Sequence, residues 1–172
     1  MLEGHTTETP SELVAKRSTH ENHSVLYAFE RAIERMNEKF GHESLNQFEV
    51  NVLAVCSFDR EINNGGFIQF FENSSGFYAP FIIQALNAIG ADVGAVIVEE
   101  AIESLRIDGE PTWETLNECF EIDDEKRDDK LDELDLRYYA EDPDLCSLLL
   151  DYIEVNIQKF EFKISGSTSE SG

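Results

Sequence analysis

Residues whose types and spacing could carry chemistry fall in three places. The segment EIDDEKRDDKLDELD, residues 121–135, packs nine acids and three bases into fifteen positions. Carboxylates at that density can gather divalent cations or present a negative face to a cationic partner. The stretch NNGGFIQFFENSSGF, residues 63–77, sets two adjacent glycines before three phenylalanines. Such a loop could offer backbone N–H groups to a phosphate, or it could be a tight joint between helices. The third place is HENH, His20 to His23, whose i, i+3 histidines have the spacing of helical metal ligands.

Two of these readings weaken on inspection. A phosphate cradle wants a nearby Lys or Arg, yet the nearest bases to the glycine pair are Arg60 and Arg106. HENH lies in a polar connector without further identifiable ligands, so an exposed pair is expected there. The acidic segment lacks the D-x-D-x-D-G spacing of a calcium loop. Nucleophilic catalysis would have to draw on His5, His20, His23 or His42, all in the first quarter of the chain. Cys56, Cys119 and Cys146 are dispersed, which suggests buried thiols in a reducing cytosol. The expectation is a protein that is not an enzyme and has no cofactor and no metal.

The elements that must position these residues read as helical throughout. The 172 residues suffice for one domain with a real core, and hydrophobic residues make up 41%. Thr9-Pro10-Ser11-Glu12 is a helix start, with a short helix to about residue 17. Val25, Phe29, Ile33, Met36 and Phe40 step by three or four and stop at Gly41. Phe48, Val52, Val55, Cys56, Asp59 and Ile62 line a third helix running into the glycine pair. Further helices are expected at about 78–89, from an Asp92 cap to about 105, and at about 112–120. Asp123 is read as the cap of the acidic helix, whose apolar face is Leu131, Leu134 and Tyr138. Asp142-Pro143 is read as the start of the last helix. KFEFKI offers a short alternation at most. The fold class is all-α, a single compact helical domain of about eight helices. Its expected divisions are an N-terminal segment 1–23 with a short helix, a helical domain 24–162 and a disordered tail 163–172.

For the glycine pair the structural reading fits better. Asn64 or Gly65 would take the left-handed conformation that ends the third helix, and the second glycine would allow close approach. Phe67, Phe70 and Phe71 would then bury together within one turn.

The joint also carries a resemblance. Asn64, Gly65, Gly66 and Phe67, then Gln69, Phe70 and Phe71, an Asn73-x-x-Gly76 turn and Ile89-Gly90-Ala91 resemble the signature of a bacterial DNA-mimic protein family. The likeness covers about 30 contiguous residues. It implies an all-helical, acidic, dimeric protein that presents carboxylates where DNA presents phosphates. Such a protein would occupy the DNA-binding face of a transcription factor, a helix-turn-helix repressor being the expected kind, and relieve repression.

The charge distribution bears on that implication. Thirty-six acids against 13 bases leave a formal net charge of −23. This disfavours direct contact with nucleic acid or an anionic membrane and favours a basic protein. Residues 1–98 carry a net −7, whereas residues 99–154 carry 21 acids against 5 bases, a net −16. On one continuous helix, Glu121, Glu125, Asp128, Asp132 and Asp135 would form a stripe, with Asp124 and Asp129 beside it. One carboxylate per 5.4 Å turn approximates the roughly 6–7 Å between successive phosphates. These seven are the candidate partner-binding residues, and a homodimer would lengthen the track to suit a two-fold repressor. The alternative partner is a basic toxin such as a nuclease, blocked in the manner of an immunity or antitoxin protein. The opening MLEGHTTETP has no apolar signal core, so the expected location is cytoplasmic.

Overall fold

Each helix starts and stops on a local signal. The computed structural model describes residues 8–162 and is all-helical, with eight α-helices and short 3-10 turns between some of them. Helix α1 (Pro10–Ala15) opens on the reciprocal Thr9–Glu12 cap, and α2 (Asn22–Phe40) ends at Gly41 with φ +83. Helix α3 (Gln47–Glu72) opens on a second reciprocal cap, between Asn46 and Glu49. A 3-10 turn over Ser74–Tyr78 leads into α4 (Ala79–Ala88), and Gly90 at φ +82 turns the chain toward α5 (Asp92–Ser104). Helices α6 (Trp113–Phe120), α7 (Glu125–Glu141) and α8 (Leu145–Val155) complete the chain.

Three cap assignments differ from the sequence expectation. Ala91 holds the cap position of α5, and Asp92 is already the first helical residue. The cap of α7 is Asp124, not Asp123, because its Oδ1 accepts the Arg127 N–H at 3.1 Å. Asp142 takes a left-handed φ of +41 and ends α7, so α8 begins after Pro143 on an Asp144 cap. In KFEFKI the described part is a 3-10 turn followed by irregular chain; Lys163, Ile164 and the tail lie outside the described residues, as do residues 1–7.

Helix α3 runs through the middle, packed against α2, α4, α6, α7 and α8, with α5 bridging α4 to α7. Between Glu49 and Cys56 every residue of α3 is buried, which requires neighbours on all sides. Leu13 and Val14 of α1 belong to the same core, and Arg17 pairs with Asp151 and Glu154 of α8. Among the described residues no helix is long and apolar enough to cross a membrane.

Candidate functional site: a carboxylate helix clipped to a broken helix

Helix α3 breaks at the glycine pair. Gly65 is extended, with φ −163, and Gly66 has φ +74 with ψ −164, a region open essentially to glycine alone. The left-handed residue is therefore Gly66, not Asn64 or Gly65. A Cβ on Gly66 would overlap the Asp135 carboxylate, and one on Gly65 would meet the flexible Gln69 side chain. The helix resumes at once, so the joint kinks α3 without terminating it. Asn64 is exposed beside the break.

A helix broken in this way leaves backbone groups in need of partners. Helix α7 supplies them on both sides of the break. Phe67 N–H donates to Asp135 Oδ1 at 2.8 Å, and Tyr139 O–H donates to the Ile62 carbonyl at 2.5 Å. Glu61 braces the kink with one carboxylate oxygen, accepting from Gln69 Nε2 at 2.7 Å and from Asn73 Nδ2 at 2.8 Å. Phe67, Phe70 and Phe71 are fully buried. Phe58 meets Phe70 edge-on at 5.1 Å and Tyr138 at 5.4 Å, while Phe71 lies 6.4 Å from Phe120. These rings join both halves of α3 to α6 and α7.

The phase of α7 follows from what it buries: Arg127, Leu131, Leu134 and Tyr138, at helical spacing. Arg127 is the unexpected member, 5% exposed. Its guanidinium donates to the Cys119 carbonyl at 2.6 Å and the Ile122 carbonyl at 3.2 Å, and it stacks over Phe120 at 4.2 Å. It thus closes the end of α6 and the link to α7.

That phase sorts the seven candidate carboxylates into three groups. Glu121 is not on α7, because the chain breaks between α6 and α7, so the continuous stripe does not form. Asp124, Asp128 and Asp135 are occupied within the fold. Asp124 caps α7 and pairs with Arg106, and the Arg127 N–H, then Arg106, hold its carboxyl below the usual range. Asp128 accepts from Arg127 Nε at 2.8 Å. Asp135 turns toward α3, where burial raises its carboxyl despite the Phe67 hydrogen bond. Glu125, Asp129 and Asp132 are exposed on the outward side and carry no ion pair among the described residues.

The bases of this region are mostly occupied too. Arg106 holds Asp124, Arg127 points inward, Lys130 pairs with Glu133, and Arg137 takes Glu100 with contacts of 2.5 and 2.9 Å. Exposed acids on the neighbouring helices, Glu99 and Glu103 of α5 and Glu114 and Glu118 of α6, add to the same region. The result is a surface whose negative charge is little offset locally.

Elsewhere, a cavity of about 300 Å³ lies between α2, α3 and α8, walled by Leu26, Val55, Leu149, Cys56 and Cys146. Glu30 and Arg60 form an ion pair at its edge, 3.0 Å apart, and burial of Glu30 raises its carboxyl despite that pair. Burial pushes Cys146 up to about 11 and Cys56 well upward, so both thiols stay protonated at neutral pH. His20 precedes α2 and His23 is exposed in its first turn. The ring of His42 packs among Phe77, Tyr78 and Phe81. No group of three or more potential ligands among the described residues could hold a metal ion.

Sequence reasoning missed Asp135, Tyr139 and Arg127 as fold-holding residues. The apolar stripe contained the signal, since Arg127 lies four residues before Leu131 and Asp135 directly follows Leu134. A family model described as DMP19-like protein matches residues 43–156, a span that contains both the broken helix and the carboxylate helix. No curated protein and no solved structure matches.

Proposed function

We propose that this chain, which belongs to the DMP19-like protein family, is an acidic DNA mimic that occupies the DNA-binding face of a transcription factor. The observation carrying this reading is the placement of Glu125, Asp129 and Asp132 on the outward side of a helix whose arginines face inward or are ion-paired. A negative array so little offset locally attracts a basic surface over a distance set by the Debye length, about 30 Å at 0.01 M salt and about 10 Å at 0.1 M. The partner is a basic DNA-binding protein of the helix-turn-helix repressor kind, and the protein acts as a homodimer, matching a two-fold partner.

The test begins with capture of the partner from the source cell and elution by raised salt. Titrating that partner's complex with operator DNA should show displacement by the wild-type protein, weakening as salt rises. The variant Glu125→Gln/Asp129→Asn/Asp132→Asn removes three charges that no cap or ion pair uses. It should associate more slowly and compete poorly. Failure of the wild-type protein to displace DNA from any captured repressor sinks the reading. Recovery of a nuclease that the protein inhibits would replace it with the toxin-inhibitor function.

A further inference from the structure

The cavity between α2, α3 and α8 leads from solvent into the core. His23, Tyr27 and Arg60 on its rim are exposed, whereas Val55, Cys56, Cys146 and Leu149 beneath them are buried. Its volume of about 300 Å³ is at the lower end for small-molecule pockets. Such pockets run from roughly 300 to 1,000 Å³ and join apolar walls to a few polar groups. Here the charged groups are two carboxylates, Glu30 and Asp59, and one guanidinium, Arg60. Glu30 is buried and its Oε1 accepts from Arg60 at 3.0 Å, so that pair is internally neutral. Asp59 is half-buried and carries no ion pair among the described residues. Its Oδ1 accepts from the uncharged amide of Asn63 at 2.9 Å. Burial raises the Asp59 carboxyl; Asp144 nearby adds to the negative field, and His23 offsets part of it.

We propose that this cavity binds a small primary amine, its apolar body against Leu26, Val55 and Leu149 and its ammonium group on the Asp59 carboxylate. The site is independent of the DNA-mimic reading and uses none of the α7 carboxylates. Charge complementarity selects the occupant. An anionic ligand would meet Glu30 and Asp59 with a guanidinium already committed to Glu30, in a chain whose net charge is −23. A neutral ligand of the same shape would displace water from Asp59 and return no counter-charge, and desolvating an unpaired carboxylate is costly. An ammonium group supplies the missing cation and donates hydrogen bonds to the same carboxylate. The buried wall beneath supplies the rest of the affinity, because a bare ammonium ion or a very short amine leaves it uncovered. Only a molecule with both parts uses the cavity fully.

Four probes test this with the full chain: phenethylamine, phenethyl alcohol, phenylacetate and ethylamine. Titration followed by methyl NMR reads affinity and place together, at about 0.15 M salt to screen diffuse attraction to the acidic surface. Phenethylamine should bind at least about tenfold more tightly than each of the other three. Its binding should shift the methyl signals of Leu26, Val55 and Leu149. The variant Asp59→Asn keeps an acceptor for Asn63 and removes the charge. It should bring phenethylamine down to the affinity of phenethyl alcohol and leave the alcohol unchanged. Equal wild-type affinities for amine, alcohol and carboxylate overturn the proposal, as does an amine preference that survives in Asp59→Asn. Amine binding that leaves the three sets of methyl signals unmoved also overturns it, since the cation then sits on the outer carboxylates. Should Asp59→Asn fail to fold, the wild-type affinities and methyl shifts decide the matter by themselves. Displacement of operator DNA is a separate measurement, so either reading can fail while the other stands.

Discussion

Helices α3 and α7 touch along the glycine joint and face opposite demands. Helix α3 is enclosed on all sides from Glu49 to Cys56, so its position follows from packing. Helix α7 buries only Arg127, Leu131, Leu134 and Tyr138 along one stripe and leaves most of its charge in water. Its acids repel one another at helical spacing, which weakens the helix by a few tenths of a kcal/mol per pair. A helix with so narrow a buried stripe needs other anchors, and α3 provides two of them by being broken. The backbone around Gly65 and Gly66 holds Asp135 and Tyr139 of α7 by hydrogen bonds. The aromatic joint and the carboxylate surface are thus one construction.

If α3 is fixed by packing, truncating it should produce the largest loss. Phe67 is fully buried and touches Phe58, Phe71 and Tyr138. Phe67→Ala should cost about 3–5 kcal/mol in denaturant unfolding. A cost near that of a surface substitution would mean that the joint is not part of the core.

The two glycines should then separate. Gly66→Ala forces a side chain into a glycine-only conformation and against Asp135, and should cost about 1–3 kcal/mol. Gly65 is extended and meets only the Gln69 side chain, so Gly65→Ala should cost distinctly less. Equal costs would show that the pair acts through backbone flexibility and not through the close approach of Asp135.

The helices and most of their ends were legible because caps and periodicity are local. Thr9 with Glu12, Gly41, and the Leu131–Leu134–Tyr138 face can be read from neighbours in the chain. The carboxylate stripe could not be read in the same way. Placing Glu121 and Asp135 on one helix assumed continuity across residues 121–124, where Asp124 instead starts a new helix under Arg106 and the Arg127 N–H. That Asp135 turns inward depends on an unpaired N–H sixty-eight residues earlier in the chain. Local pattern says that an aspartate is on a helix; only tertiary context says which way its carboxylate points.

The clip itself should be worth less than the core. Tyr139→Phe removes one hydrogen bond to the Ile62 carbonyl from a residue that is 44% exposed. The expected loss is about 0.5–1.5 kcal/mol, because water can partly replace the hydroxyl. Amide exchange in α7 should accelerate more than exchange in α3 between Glu49 and Cys56. A uniform acceleration across both helices would argue against α7 being separately anchored.

The smallest effect expected concerns pH and tests how the acidic surface loads the fold. Burial raises the carboxyls of Glu30, Asp59 and Asp135 above their ordinary values. A raised carboxyl binds its proton more tightly in the folded chain, so stability grows as pH falls through the folded value and is complete below the unfolded one. Asp124 and Asp144 are lowered, chiefly by the N–H groups they cap, and their contribution disappears only as pH falls through those lower values. Lowering the pH from 7 to about 5 should therefore raise the melting temperature slightly, with a decline below about 4 as the caps protonate. Partial neutralisation of a chain at net −23 acts in the same direction, but salt screens that part. In high salt the remaining rise should depend on the buried carboxylates alone. Asp135→Asn, which keeps an acceptor for the Phe67 N–H, should then shrink it to the part that Glu30 and Asp59 supply. A melting temperature that falls steadily from pH 7 to 5 would mean that the ionised forms of Glu30, Asp59 and Asp135 stabilise the fold, reversing their assigned sign.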